Sequence, residues 1–192
     1  MDDVVVVGLG NPGARYRETR HNVGFLVLDE LCARWKCSLR EGRGDYFSAV
    51  VLRGEQRVIL VAPTTFMNNS GTAVKEVLAA HGVGLEACLV VADDFALPLG
   101  TLRLRKEGSD GGHNGLASVI YHLESEAFPR LRCGIGSPAL LPGQETASFV
   151  LSTFEEGERE TAAAMIRRAA DAVESFVQSG IDRTMTVFNK AP

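Results

Sequence analysis

No apolar run in these 192 residues approaches the ~20 positions that a membrane-spanning helix needs. The first residues, Met1-Asp2-Asp3, are acidic and lead directly into a strand-like stretch. They offer neither the basic start nor the long apolar segment of a secretory signal, so a cytoplasmic protein is expected. Cysteine is scarce, with four in the chain, and Cys32, Cys37, Cys88 and Cys133 form no Cys-x-x-Cys pair and have no histidine at ligand spacing. A zinc site is not expected, and the four read as free thiols of a reducing compartment. No Gly-x-Ser-x-Gly elbow is present, which leaves a serine hydrolase unsupported. No carboxylates cluster at metal-binding spacing, and no internal repeat or interdomain linker breaks the chain. A net charge of −4 excludes a generally adhesive nucleic-acid binder, though not a local basic patch.

What is there suits a globular protein. Hydrophobic residues make up 45% and charged residues 23% of the chain, so neither disorder nor a fibre is indicated. The length fits one domain, residues 1–192, with one sizeable core. Val4–Gly8 is too short for a helix and rich in β-branched residues, hence a buried strand. Apolar residues at Val23, Leu26, Val27, Leu31 and Trp35 have helical spacing, with Asn22 as the expected N-cap. Tyr46–Arg53 and residues 56–62, separated by Gly54-Glu55, read as a hairpin. Asn69 or Ser70 should cap a helix over 72–81.

Residues 88–92 predict a second buried strand, ending on Asp93-Asp94. Residues 101–105, with Leu102 and Leu104 against Arg103 and Arg105, predict a half-exposed one. The glycine-rich loop 108–112 leads into a helix near Asn114–Leu123, and residues 131–136 form another strand. Residues 137–145 read as a mobile loop and 155–179 as a long amphipathic helix. Alternating strands and helices with one hairpin predict a single α/β domain, with a mixed twisted sheet and helices on both faces. Sites in such sheets gather beyond the C-terminal ends of strands. Asn11, Asp93 and the loop 108–114 all sit there.

Gly8-Leu9-Gly10-Asn11-Pro12-Gly13 matches the dinucleotide pattern G-x-G-x-x-G. That fingerprint also needs a helix directly after the glycines and a second strand ending on an acidic residue. Residues 14–20 are charged and irregular, and Asp29 and Glu30 lie inside a helix, so a nicotinamide cofactor is rejected. His21, in Thr19-Arg20-His21-Asn22, reads from its neighbours alone as a surface or capping residue. Its company changes that reading. Hydrolysing an ester with water needs a base near neutrality, an anion to orient it, and amide donors for the carbonyl. Histidine suits the first task, either Asp93 or Asp94 the second, and Asn68 and Asn114 the third. As ordinary features, the aspartates are a turn pair and the asparagines helix starts. Ser109-Asp110 beside His113 is a poor triad, since close sequence neighbours rarely reach triad geometry. Arg103, Arg105 and Lys106, with Arg130 and Arg132, form either a basic stripe or a solvated sheet edge. Charge dilution by Glu107, Asp110, Glu124 and Glu126 favours the edge.

Five strings occur in order: Val7-Gly8-Leu9-Gly10-Asn11-Pro12-Gly13; Tyr16-x-x-Thr19-Arg20-His21-Asn22-x-Gly24; Pro63-Thr64-Thr65-Phe66-Met67-Asn68; Gly111-Gly112-His113-Asn114-Gly115-Leu116; and Leu131-Arg132-Cys133-Gly134-Ile135-Gly136. Together they resemble the bacterial peptidyl-tRNA hydrolases over nearly the whole chain. The resemblance implies a monomeric, metal-free and cofactor-free enzyme that acts on peptidyl-tRNA, with no membrane partner. An alternative within the family is a hydrolytically inactive RNA-binding member. By the resemblance His21 is the catalytic base, Asp93 its orienting partner, and Asn11 a residue placing the tRNA end and the histidine. Asn68 and Asn114 hold the peptide backbone and the water, and Tyr16 lines the tRNA-facing end. Phe66, Met67 and His113, from the same strings, join the substrate-binding set. Arg105 and Arg132 grip a tRNA phosphate, with Arg103 beside them. The chain departs from the family at Ala96, where a carboxylate is usual, and at Glu107 and Asp110, which add negative charge.

Overall fold

The computed structural model describes residues 3–137 and 146–190. Strands β1 (Val4–Gly8), β2 (Arg40–Glu41), β3 (Tyr46–Arg53), β4 (Gln56–Pro63), β5 (Cys88–Pro98), β6 (Leu102–Arg105) and β7 (Arg130–Gly136) form one sheet in the order β2-β3-β4-β1-β5-β7-β6. The central strands β4, β1, β5 and β7 are parallel, whereas β2, β3 and β6 pair antiparallel at the edges. The sheet is therefore mixed, as expected.

The run of four valines in β1 follows from this position. Side chains alternate across a strand, and a central parallel strand is covered on both faces. Val4 and Val6 pack with the helices α1 (Val23–Trp35) and α5 (Arg159–Phe188). Val5 and Val7 pack with α2 (Ser70–His81) and α3 (Asn114–Leu123). On the edge strand β6 the alternation is visible as Leu102 and Leu104 buried, Arg103 and Arg105 exposed.

Several boundaries differ from the reading of the sequence. β5 runs through Asp93-Asp94 to Pro98, because β7 continues to pair with it across a register shift. The last helix starts at Arg159, after a capping box in which Glu155 and Glu158 exchange bonds, and it extends to Phe188. At Gly180 the backbone takes φ 74 and ψ 176, so two helices meet there at a kink. A short helix α4 (Thr146–Val150) and the two-residue β2 have no counterpart in the sequence pattern. The expected loop 137–145 lies outside the described residues except for Ser137. No described helix is long and apolar enough to cross a membrane.

The parallel strands deliver their C-terminal ends to one side of the sheet. β1 leads there to Asn11, β4 to Met67 and Asn68, and β5 to Asp93.

Candidate active site

Three consecutive residues, Arg20-His21-Asn22, form a 3-10 turn directly before α1, and all three are buried. The turn reaches the end of β1 because Gly8 and Gly24 let the two backbones touch. A Cβ on Gly24 would lie 2.4 Å from the Leu9 nitrogen, and one on Gly8 would lie 2.3 Å from the Gly24 oxygen. Any larger residue at either place would push His21 away from the sheet.

His21 Nδ1 stands 2.8 Å from Asp93 Oδ1. The same oxygen receives His113 Nε2 at 2.9 Å, and the two imidazole centroids are 4.9 Å apart. The tautomers follow from the partners. His113 is the N-cap of α3, and its Nδ1 accepts the backbone N–H of Gly115 at 3.1 Å and of Leu116 at 3.2 Å. Its proton therefore sits on Nε2 and is donated to Asp93. A carboxylate oxygen accepts only, so His21 also presents its Nδ1 proton to Asp93, leaving Nε2 as the ring's lone-pair nitrogen. Asp93 is 2% exposed. Burial raises its carboxyl, but the electrostatic attraction and hydrogen bond of His113, then those of His21, outweigh it and hold it at about 2.

The two neighbouring aspartates have different partners. Asp94 accepts Arg132 Nη1 at 3.2 Å and the Ala96 N–H at 2.9 Å, and neither imidazole. Its ordering comes from Arg132 and a backbone turn at Ala96.

Asn22 sits at the N-cap position of α1 but makes no capping bond. Its carboxamide instead matches the peptide edge of Asn11, accepting the Asn11 N–H at 2.8 Å and donating to the Asn11 carbonyl at 2.9 Å. Asn11 in turn accepts the Met67 N–H at 2.8 Å through Oδ1. Its Nδ2 has no partner among the described residues. The turns after β1 and β4 are thereby locked together beside His21.

Asn68 and Asn114 are exposed, on a 3-10 turn and on the first residue of α3. The expected cap at Asn114 is supplied by His113 instead, which frees the Asn114 carboxamide. Asn114 lines a cavity of about 90 Å³ with His21, Asp93, Gly112, His113 and, from α4, Thr146 and Val150. Tyr16 and Phe66 meet edge to face at 6.5 Å, and Phe66 is exposed. Met67 differs from the other members of its set. Its side chain is buried, and its sulfur packs against Gly115, where a Cβ would come within 2.5 Å. It contributes its backbone N–H, to Asn11, and holds α3 in place.

The arginines divide into two kinds. In the antiparallel pair β6–β7, Arg103 faces Arg132 and Arg105 faces Arg130, and with Glu107 they surround a pocket of about 280 Å³. Arg103 and Arg105 are exposed, whereas Arg132 gives one nitrogen to Asp94 and another to the Ser109 carbonyl at 2.6 Å. Arg130 is not part of a solvated edge. It is 1% exposed, stacks over Phe128 at 4.1 Å and donates to the carbonyls of Gly108, Ser109, Glu126 and Phe128. Burial and the neighbouring Arg132 push its guanidinium down to about 10. Asp110 accepts the Gly112 N–H at 2.6 Å within its own loop.

His21, Asp93 and His113 place one ligand atom each within 4.8 Å of one another, close enough to hold a metal ion. To bind one, both ring nitrogens that face Asp93 would have to give up their protons. The four cysteines are free and take no part.

A family model described as peptidyl-tRNA hydrolase matches residues 5–192. The peptidyl-tRNA hydrolase of Chlorobaculum parvum is 44% identical over 186 residues, which cover 97% of this chain and 97% of that one. That of Geobacillus kaustophilus is 44% identical over 185 residues, covering 96% and 98%. Among solved structures, the peptidyl-tRNA hydrolase of Acinetobacter baumannii superimposes with a TM-score of 0.89 at 32% identity, over 97% of this chain and 94% of that one.

Proposed function

The chain belongs to the peptidyl-tRNA hydrolase family, and from that premise we propose that His21 is the base that activates water against the ester between peptide and tRNA. The reaction is hydrolysis of peptidyl-tRNA, releasing peptide and tRNA. What carries the assignment of His21 is the tautomer chain: His113 donates to Asp93, Asp93 accepts from His21 Nδ1, and His21 Nε2 is left able to take a proton.

Nε2 removes a proton from water as the oxygen attacks the ester carbonyl carbon. Asp93, ionised because its carboxyl is held near 2, stabilises the imidazolium that forms. As the tetrahedral intermediate collapses, the bond to the ribose oxygen breaks and His21 returns the proton to that leaving group. Asn68 and Asn114, whose carboxamides have no protein partner among the described residues, hold the peptide backbone and the developing oxyanion. Loss of one such donor typically costs about 10²–10³ in rate. Asn11, through its free Nδ2, positions the terminal ribose beside His21. Tyr16 and Phe66 offer ring surface to the end of the tRNA, and Arg103, Arg105 and Arg132 face its phosphate. In this reading the enzyme works as a monomer in the cytoplasm, where translation supplies its substrate, and the two histidines and Asp93 act as a hydrogen-bonded chain without a metal. A non-hydrolytic RNA binder would have no use for two imidazoles converging on a buried carboxylate.

The test is release of label from N-blocked aminoacyl-tRNA, with free aminoacyl-tRNA as control. His21→Ala is expected to lose about 10²–10⁴-fold in kcat with binding of uncharged tRNA retained. If it kept more than half of the activity, His21 would not be the base.

A further inference from the structure

Arg20 stands next to the base and belongs to none of the roles above, yet it is 1% exposed and among the largest fully buried side chains. Its attachments are concentrated on one stretch of chain, 149–158. The guanidinium lies over the Phe149 ring at 4.5 Å and the Phe154 ring at 5.0 Å. Nη2 reaches Glu158 Oε2 at 2.6 Å, Nη1 reaches Oε1 at 3.3 Å, and Nε donates to Ser152 Oγ at 3.2 Å. The Arg20 backbone N–H bonds the Ser152 carbonyl at 2.9 Å, and Thr19 forms a bridge with Thr153. Glu158 is bound from a second direction by Ser137, at the end of β7.

The same stretch begins in α4, whose Thr146, Ala147 and Val150 form one wall of the cavity that holds His21 and Asp93. The tripeptide thus sends three consecutive buried side chains to three separate parts of the fold. Asn22 goes to the turn after β1, His21 to β5, and Arg20 to the segment that walls the cavity. Two of these mounts act on the sheet side of His21. The third joins the turn that carries the ring to the opposite wall, alongside the backbone bond from Arg20 to Ser152 and the Thr19–Thr153 bridge.

We propose that Arg20, through its paired contact with Glu158 between Phe149 and Phe154, is a positioning residue that sets His21 against Asp93 and against the α4 wall. A planar fork is needed for this, since it bonds both carboxylate oxygens and stacks on rings at once, which an ammonium cannot do. The inference rests on His21 being the base. Inactivity of His21→Ala tests that premise separately from the variants below.

The experiment compares Arg20→Ala, Arg20→Lys and Glu158→Gln with the unaltered enzyme on N-blocked aminoacyl-tRNA, normalised to the folded fraction by circular dichroism. A misplacement of the order of an ångström can cost about a hundredfold. The expected result for Arg20→Ala is therefore a fall of about ten- to hundredfold in kcat, with KM changed by less than about threefold, the pattern of a loss felt in the transition state. Millimolar guanidinium, which can enter the vacated slot between the rings and Glu158, should restore kcat severalfold. The imidazole N–H correlation of His21 in ¹⁵N-labelled protein should move. Arg20→Lys should resemble Arg20→Ala, and Glu158→Gln should show a smaller loss in the same direction. A folded variant with unaltered kcat overturns the proposal. So does a loss of activity that follows the unfolded fraction alone with the His21 signal in place, which would make Arg20 a support of the fold only. Should Arg20→Ala fail to fold, Arg20→Lys and Glu158→Gln decide by the same two criteria.

Discussion

Replacing His113 by Asn separates two tasks that one imidazole performs. Through Nδ1 it caps α3, and through Nε2 it donates to Asp93. Asparagine is among the best N-cap residues, so its carboxamide oxygen can take over the backbone N–H groups of Gly115 and Leu116 and avoid the cost of about 1 kcal/mol for a lost cap. Its shorter side chain withdraws from Asp93. The carboxyl of Asp93 is held at about 2 against an ordinary 3.8, with burial opposing and His113 contributing more than His21. That difference of nearly two units corresponds to about 2 kcal/mol. His113→Asn should therefore raise the carboxyl towards its ordinary value while leaving it ionised at pH 7, and kcat should fall about tenfold because a carboxylate held from one side only is less firmly placed against His21.

The pH dependence has a definite sign. A carboxyl depressed on folding stabilises above its unfolded value and loses that contribution as pH falls through the folded one. The unaltered protein should therefore lose stability between pH 3.8 and about 2 more steeply than His113→Asn does. Urea unfolding at pH 7, 4 and 2.5, alongside kcat at pH 7, measures both. Unchanged kcat together with parallel pH curves for the two proteins would show that Asp93 is not organised by His113.

Asp93→Asn should keep the fold and lower kcat less than His21→Ala does, because an amide can bond the imidazole without stabilising its cation; equal losses on a pH–rate series of both variants would contradict this ordering. Arg105→Ala should raise KM for peptidyl-tRNA, leave hydrolysis of a peptidyl-adenosine ester unchanged, and flatten the salt dependence of tRNA binding by about 0.7–0.9 in log–log slope. An unchanged slope would make Arg105 an ordinary exposed residue of the sheet edge.

The fold was legible wherever burial imposed a period. The valines of β1, the stripe of α1 and the limits of α3 follow from which faces are covered. From the sequence β5 ends on Asp93-Asp94, because that pair followed by Phe95-Ala96-Leu97-Pro98 resembles a turn, and it is pairing with β7 that carries the strand on to Pro98. β2 exists through its partner alone, since two exposed residues have no pattern of their own. Within the site, the residue types pointed to a base, an anion and amides, while their linkage stayed hidden. Asn22 looks like a helix cap because asparagine commonly is one; here the Asn11 peptide edge competes for the same carboxamide and takes both its ends. His113 had no such signal, as histidine is seldom a cap, and its second bond depends on a strand twenty residues earlier. Arg20 and Arg130 show the same limit. An arginine reads as surface until the rings and polar groups that enclose it are seen in space.

The placement of Asp93 answers a conflict built into this chemistry. The base needs an anion to stabilise its cation, yet the substrate is a polyanion whose phosphates flank the ester. An exposed carboxylate beside His21 would repel the RNA, and the chain as a whole already carries −4. At 2% exposure, with both neighbouring imidazoles donating to one oxygen, the charge of Asp93 is spent inside the protein. Asp94 is paired with Arg132, and Asp110 accepts the Gly112 N–H within its own loop. Arg103 and Arg105, exposed and with no ion pair among the described residues, then set the local sign. When His21 takes a proton, the pair it forms with Asp93 becomes neutral. If His21 is the base, the centre therefore gains no net negative charge beyond that of the oxyanion itself.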